Sequence, residues 1–249
     1  MSDLKEITRT AVLKIYREKG IKAADAKTMD LLVQCETWKD NTVDRGTIKG
    51  ELSEIYLECH LMWWMQHTSN MLMLKSLCIK SKTSNATAEI DILAATPSKI
   101  YLFECKSFKG PKTLTKECFL QGGASSKDVY EQSKYHLELL EQHLAECRFT
   151  LKPKTAPYKL ILFELSSDEI DDQREDKWKK WLPLLTPNNF DSWFAKEFSS
   201  IYPVLWSYDR LRTQLAVLNS TSEAMFKFHM KKINSRKESK LCLLYTSDA

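Results

Sequence analysis

Two carboxylates and a lysine interrupt two apolar runs near the middle of the 249-residue sequence. Asp91 lies in the first run, and Glu104 and Lys106 end the second. Carboxylate oxygens are the ligands that hard divalent cations such as Mg²⁺ prefer, and a nearby lysine can stabilise charge on an attacked phosphate. These residue types could therefore carry out metal-dependent phosphodiester hydrolysis, with Mg²⁺ or Mn²⁺ as the expected cofactor.

The spacing of the two runs predicts that the three side chains meet. A hairpin closed symmetrically about Pro97 and Ser98 places Asp91 directly opposite Glu104. Side chains alternate along a strand, so Glu104 and Lys106 share a face. Two carboxylates about 5 Å apart repel by about 3 kcal/mol at an effective dielectric near 20. A bound divalent cation would turn this repulsion into attraction.

The remaining hairpin residues are expected to complete the site and to bury its other face. Cys105 should point away from the patch, and its main-chain carbonyl could add one more oxygen ligand. The opposite face should be apolar and buried, and it comprises Ile90, Ile92, Tyr101 and Phe103. The alternative is purely structural: Lys106 pairs with Glu104 or Asp91 on a half-exposed sheet.

Residues 46–166 resemble the PD-(D/E)xK nuclease superfamily, in particular its Mrr-like and Holliday-junction-resolvase-like branches. The resemblance lies in Glu-Ile-Asp-Ile-Leu followed by Phe-Glu-Cys-Lys-Ser, although Ile90 replaces the usual proline. It implies a restriction-endonuclease-like α/β fold, in which helices flank a mixed four-stranded core sheet. It also implies a deoxyribonuclease. The alternative function is a catalytically inactive nucleic-acid-binding or assembly module on the same fold.

The resemblance also implies two supporting residues on the helices around the hairpin. Gly50-Glu51-Leu52-Ser53-Glu54 is similar to the helix that carries an acid in this superfamily, with Glu54 preferred and Glu51 as the alternative. Gln132 is similar to a glutamine of the helix that follows. The competing interpretation is that Glu51, Glu54 and Glu58 form a solvated stripe and that Gln132 is a surface residue.

A basic segment directly after the hairpin is predicted to contact the phosphate backbone. Lys109, Lys112 and Lys116 lie where a duplex would pass the site. A solvated loop is the alternative. DNA is the expected partner, and a homodimer stays open because dimers are common where both strands are cut.

The regular elements suggest four segments. We expect an N-terminal helical extension over 1–45, the nuclease core over 46–166, a C-terminal helical region over 167–241 and a non-native tail over 242–249. The N-terminal pattern predicts helices over 3–19, 24–38 and 51–67, with Gly20 as a stop signal. Four strands are predicted: Met71–Ile79, Ala88–Ala94, Ile100–Cys105 and Tyr158–Leu165.

Composition and motifs exclude several other function classes. The net charge of +4 permits nucleic-acid binding without demonstrating it. The sequence contains no C-x-x-C pair, glycine-rich phosphate loop, serine nucleophile elbow or H-E-x-x-H spacing, and His136 and His143 are expected to be surface or packing residues. Seven scattered cysteines indicate reduced thiols in a cytoplasm, and no apolar stretch is long enough to span a membrane.

Overall fold

The computed structural model describes residues 2–37, 45–68, 70–81, 87–108, 110–122, 125–146, 158–165, 170–200, 204–222 and 225. Three helices open the chain: α1 (Ser2–Lys19), α2 (Ile21–Thr37) and α3 (Arg45–His67). Gly20 separates the first two with a φ of +84°, a conformation that glycine adopts without steric cost. The predicted stop at Gly20 is therefore confirmed, and α3 begins earlier than the pattern predicted.

Strands and further helices alternate over the rest of the described chain. The strands are β1 (Leu72–Lys80), β2 (Thr87–Ala95), β3 (Ile100–Lys106), β4 (Lys112–Leu114), β5 (Phe119–Gly122), β6 (Ser125–Asp128), β7 (Tyr158–Glu164), β8 (Ile170–Asp172) and β9 (Leu184–Leu185). The helices are α4 (Val129–Glu146), α5 (Asp176–Trp181), α6 (Phe190–Ser199) and α7 (208–222).

The larger sheet has the strand order β1-β2-β3-β7-β9. The first two pairings are antiparallel, and β3, β7 and β9 run parallel. This mixed α/β arrangement confirms the restriction-endonuclease-like fold class. All four predicted strands are present, and the two-residue β9 adds a fifth that the sequence pattern did not reveal.

A second, smaller sheet has the order β6-β5-β4-β8. Its β4 lies within the segment that the sequence suggested was a basic loop, and β8 and β9 lie within the region predicted to be helical. These two expectations are corrected. Strands of two to four residues are too short to show a period-2 pattern, and β4 pairs with the distant β8.

Helices cover both faces of the larger sheet, so its central strands are apolar on both sides. On one face, α3 and α6 pack against residues such as Phe103 and Phe163, which are almost fully buried. On the other face, α4 and α7 share a core with Leu102 and Leu162. Burial of each such side chain contributes about 1.5–3 kcal/mol.

The segment just before α7 closes the turn of the β2–β3 hairpin. The N–H groups of Leu205 and Trp206 both donate to the carbonyl of Pro97, at 2.9 and 3.1 Å. Leu211, Leu215 and Leu218 then pack into the core beside β1.

The side-chain alternation of β2 breaks next to Asp91. Ile90, Ile92, Tyr101 and Phe103 are all buried as predicted, but Ile90 belongs to the core on the α4 side and Ile92 to the core on the α3 side. The expectation that they share one face is therefore wrong for Ile90. Ser76 of β1, opposite Asp91, has a φ of +46°, and the pairing between β1 and β2 skips this position.

His60 of α3 connects α2 with α6. Its Nε2 lies 3.0 Å from Asp25 of α2, and its Nδ1 lies 3.2 Å from Asp191 of α6.

In the described residues, no helix combines the length and apolar composition needed to cross a membrane. The five described cysteines are buried thiols that form no disulfide with one another: Cys35, Cys59, Cys78, Cys105 and Cys118.

Candidate active site

The β2–β3 hairpin has the register that the sequence predicted. Its pairs run from Ala95 opposite Ile100 to Ile92 opposite Phe103, and the Thr96 N–H donates to the Lys99 carbonyl at 2.8 Å. The paired register ends there, and the next residues along the two strands are Asp91 and Glu104, which both line one cavity. The turn and the alternation therefore bring together two carboxylates that are thirteen positions apart in sequence.

Asp91 is held by the backbone of the neighbouring strand. The Cys105 N–H donates to Asp91 Oδ2 at 2.7 Å. Burial raises the pKa of Asp91 well above its ordinary value, and repulsion by Glu104 raises it further, against the opposing effect of Lys106. A divalent cation beside Asp91 would favour the ionised carboxylate and so oppose this increase.

Glu104 is the centre of the polar contacts at the site and is only 4% exposed. Lys106 Nζ and Gln132 Nε2 both donate to its Oε1, the latter at 2.5 Å. His136 Nδ1 lies 3.1 Å from Oε2. Burial alone would raise the pKa of Glu104, but Lys106 and His136 outweigh it and hold this pKa below its ordinary value.

His136 is a residue whose part in the site the sequence analysis missed. It was expected to be a surface or packing residue, yet it is buried and contacts Glu104. Gln132 and His136 are four residues apart on α4, so they lie on the same side of the helix. The spacing from Gln132 was the signal that could have identified it.

The three hairpin residues line a cavity of about 450 Å³, together with side chains from α3 and α4. Glu54, Gln132, Tyr135 and His136 complete most of its wall. Of the two candidate acids on α3, Glu54 lines the cavity, whereas Glu51 pairs with Arg9 at 2.8 Å. Ser53 of α3 donates to the Lys106 carbonyl at 3.1 Å and so fixes this helix to the end of β3.

The donor set of the cavity fits a hydrated divalent cation. Within the described residues, no group of three histidine, cysteine or acidic side chains converges on one point. However, Asp91 and Glu104 both line the cavity, and the Glu104 carboxylate, whose Oε2 lies 3.1 Å from His136 Nδ1, could turn an oxygen toward a cation there. Mg²⁺ typically binds through one or two carboxylates and keeps several waters, so two carboxylates are sufficient for a site of this kind.

The three lysines predicted to contact phosphate have different positions. Lys109 lies outside the described residues. Lys112 cannot contact a substrate, because its side chain is fully buried on β4, where Nζ donates to the Gly110 carbonyl at 3.0 Å and lies 3.6 Å from Glu164. Lys116 is exposed in the turn between β4 and β5. The prediction for Lys112 is therefore corrected: its charge serves a buried ion pair.

Comparison with known proteins identifies one family. Residues 50–164 match the family model described as the nuclease-related domain, NERD. The matched segment contains Glu54, the whole hairpin and the part of α4 that carries Gln132 and His136. A search of curated proteins found no match.

Proposed function

Because residues 50–164 are a nuclease-related domain and so belong to the PD-(D/E)xK nuclease superfamily, as their resemblance predicted, we propose that this chain is a divalent-metal-dependent deoxyribonuclease. The observation that carries the proposal is the meeting of Asp91, Glu104 and Lys106 in one cavity. The preference for DNA rests on the likeness to the Mrr-like and Holliday-junction-resolvase-like branches.

The proposal gives each residue a separate task. Asp91 and Glu104 would hold Mg²⁺ or Mn²⁺ together with the main-chain carbonyl of Cys105. The bound cation would supply Lewis-acid stabilisation of the negative charge that develops on the phosphate during hydrolysis. Lys106 adds a positive charge beside that phosphate and orients the attacking water. Gln132 keeps Glu104 in place through its hydrogen bond to Oε1.

Conservative replacement of one carboxylate tests this function. Asp91→Asn keeps the size of the side chain and should lower Mg²⁺-dependent DNA cleavage by at least about a hundredfold. Its thermal stability should be unchanged or higher, because the repulsion from Glu104 is removed. Substrates should include linear, circular and single-stranded DNA and RNA, each with Mg²⁺, Mn²⁺ or EDTA.

Asp171→Asn is the matched control, since Asp171 is exposed on β8 and does not line the cavity. Its activity should equal that of the wild type. Full activity of Asp91→Asn would refute the assigned chemistry, and cleavage of RNA alone would refute the choice of DNA.

One observation favours a second function, that of a non-catalytic nucleic-acid-binding or assembly module. Lys106 and Gln132 already satisfy Glu104 Oε1 without a cation. A thermal unfolding series with increasing Mg²⁺ separates the two functions. The nuclease should gain stability as the cation binds the folded state, whereas the inactive module should show no shift.

The proposal also includes the cellular compartment in which the protein acts. The five described cysteines are buried thiols without a disulfide among them, which supports a reducing compartment such as the cytoplasm.

A further inference from the structure

Three glutamates of α3 form a row of like charges beside the candidate active site. Glu51, Glu54 and Glu58 are three and four residues apart, so they lie on one side of the helix. Glu58 is only 4% exposed, and its burial makes an unpaired charge costly. This row therefore needs compensating positive charge from other elements.

Arg9 of the N-terminal helix α1 supplies most of this charge. Its Nε lies 2.8 Å from Glu51, its Nη1 lies 2.6 Å from Glu58 and its Nη2 lies 3.9 Å from Glu54. Lys75 of β1 takes the other oxygen of Glu58 at 2.5 Å. The planar guanidinium presents five N–H groups in a fixed arrangement, which allows one side chain to contact all three carboxylates.

The two short contacts of Arg9, with Glu51 and Glu58, fix the position of its longer contact with Glu54. Glu51 and Glu58 hold the guanidinium from both sides, and this places Nη2 beside the central carboxylate of Glu54. Glu54 in turn lines the cavity that contains Asp91 and Glu104. A continuous set of charge contacts thus leads from α1 to the wall of the active site.

We propose that Arg9 is a positioning residue for Glu54, so that the N-terminal helix is a functional part of the active site. Arg9 orients the Glu54 carboxylate toward the cavity and offsets part of the negative charge that a cation meets there. This role lies outside the matched segment 50–164, and it rests on the proposed nuclease function for its kinetic consequences.

A double-mutant cycle between Arg9 and Glu54 tests whether the arginine acts through the glutamate. Cleavage is measured under saturating Mg²⁺ for the wild type, Arg9→Gln, Glu54→Gln and the double variant. Arg9→Gln should lower kcat by about tenfold in the wild type and by less than twofold in the Glu54→Gln background. An equal loss in both backgrounds would overturn the proposal.

Cation affinity distinguishes the proposed role of Arg9 from a merely structural one, because the two roles predict changes in affinity of opposite sign. Binding of Mn²⁺ is followed by the paramagnetic resonance signal of the free ion. Removing a positive charge near the cavity should tighten Mn²⁺ binding by roughly three- to tenfold in Arg9→Gln, whereas Arg9→Lys should leave it unchanged. Weaker binding in both variants would show that Arg9 only maintains the fold.

Two further variants keep the comparison interpretable. Lys14→Gln removes the same charge from an exposed position of α1 and should alter neither kcat nor affinity. If Arg9→Gln unfolds, Arg9→Gln/Glu51→Gln removes one of the repelling carboxylates and replaces it in the cycle. A wild type that binds Mn²⁺ but cleaves nothing would refute the nuclease and leave the affinity series to decide on Arg9. A wild type that binds no Mn²⁺ would overturn both proposals.

Discussion

Raising the pH from 6 to 10 should remove about 3 kcal/mol from the free energy of unfolding through one side chain, His60. The imidazole is 5% exposed and lies between the carboxylates of Asp25 and Asp191. Burial lowers its pKa, but the two carboxylates outweigh burial and raise this pKa to about 9. The ring therefore stays protonated in the folded protein at neutral pH.

The sign and size of the effect follow from the two pKa values. The folded-state pKa of about 9 exceeds the ordinary value of 6.5, so the folded state binds the proton more tightly. The stabilisation is complete below about pH 6.5 and is lost as the pH rises through about 9. At about 1.4 kcal/mol per pKa unit the shift corresponds to about 3 kcal/mol, which solvent around the 61%-exposed Asp191 reduces further.

Urea unfolding of the wild type and His60→Gln at pH 6, 7.5, 9 and 10 measures this contribution. The wild type should lose its advantage over the variant as the pH rises, and the difference also cancels the ionisation of the buried thiols. His67→Gln replaces an exposed histidine of the same helix and should behave as the wild type. A constant difference between wild type and His60→Gln at all four pH values would refute the argument.

Three further predictions concern the small sheet and α3. Burial raises the pKa of Glu164 to about 7, so above pH 7 Lys112→Met should lower the free energy of unfolding by about 1–3 kcal/mol because the ionised carboxylate loses its cation. Lys112→Met/Glu164→Gln should recover most of that loss, and a double variant as unstable as the single one would contradict this. Gly122→Ala should cost about 1–3 kcal/mol, because its Cβ would lie 2.6 Å from Phe108 Cβ. Gly50→Ala, where a Cβ meets nothing within 4 Å, should instead stabilise α3 by about 0.5–1 kcal/mol, and urea unfolding of all these variants checks the three expectations.

The sequence was sufficient to predict the part of the site that depends on local geometry. The register of the hairpin follows from its turn at Pro97 and Ser98, and alternation along β3 puts Glu104 and Lys106 on one side, so the meeting of Asp91, Glu104 and Lys106 could be predicted. The family resemblance implied a mixed four-stranded sheet but no strand order beyond the hairpin, because a parallel partner such as β7 follows only after a long connection.

Features that depend on distant partners could not be derived in this way. The sequence around Lys112 does not indicate that this lysine pairs with a buried acid, because its partner Glu164 comes 52 positions later (164 − 112). Ile90 lies on the unexpected side at the place where Ser76, on the neighbouring strand, has a left-handed backbone and the pairing of β1 with β2 is interrupted. Alternation along one strand cannot reveal a distortion that starts in its neighbour.

The closure of the hairpin turn by the segment just before α7 sets the order in which the chain can fold during synthesis. Pro97 and Trp206 are 109 positions apart (206 − 97), so the hairpin exists long before its cover has been made. At a synthesis rate of about 5–20 residues per second, the apolar surface beside β1 stays uncovered for about 5–20 s until Leu211 and Leu215 have been made. We expect the nascent chain to need a chaperone during this interval, and the proposed nuclease activity to appear only after α7 has left the ribosome.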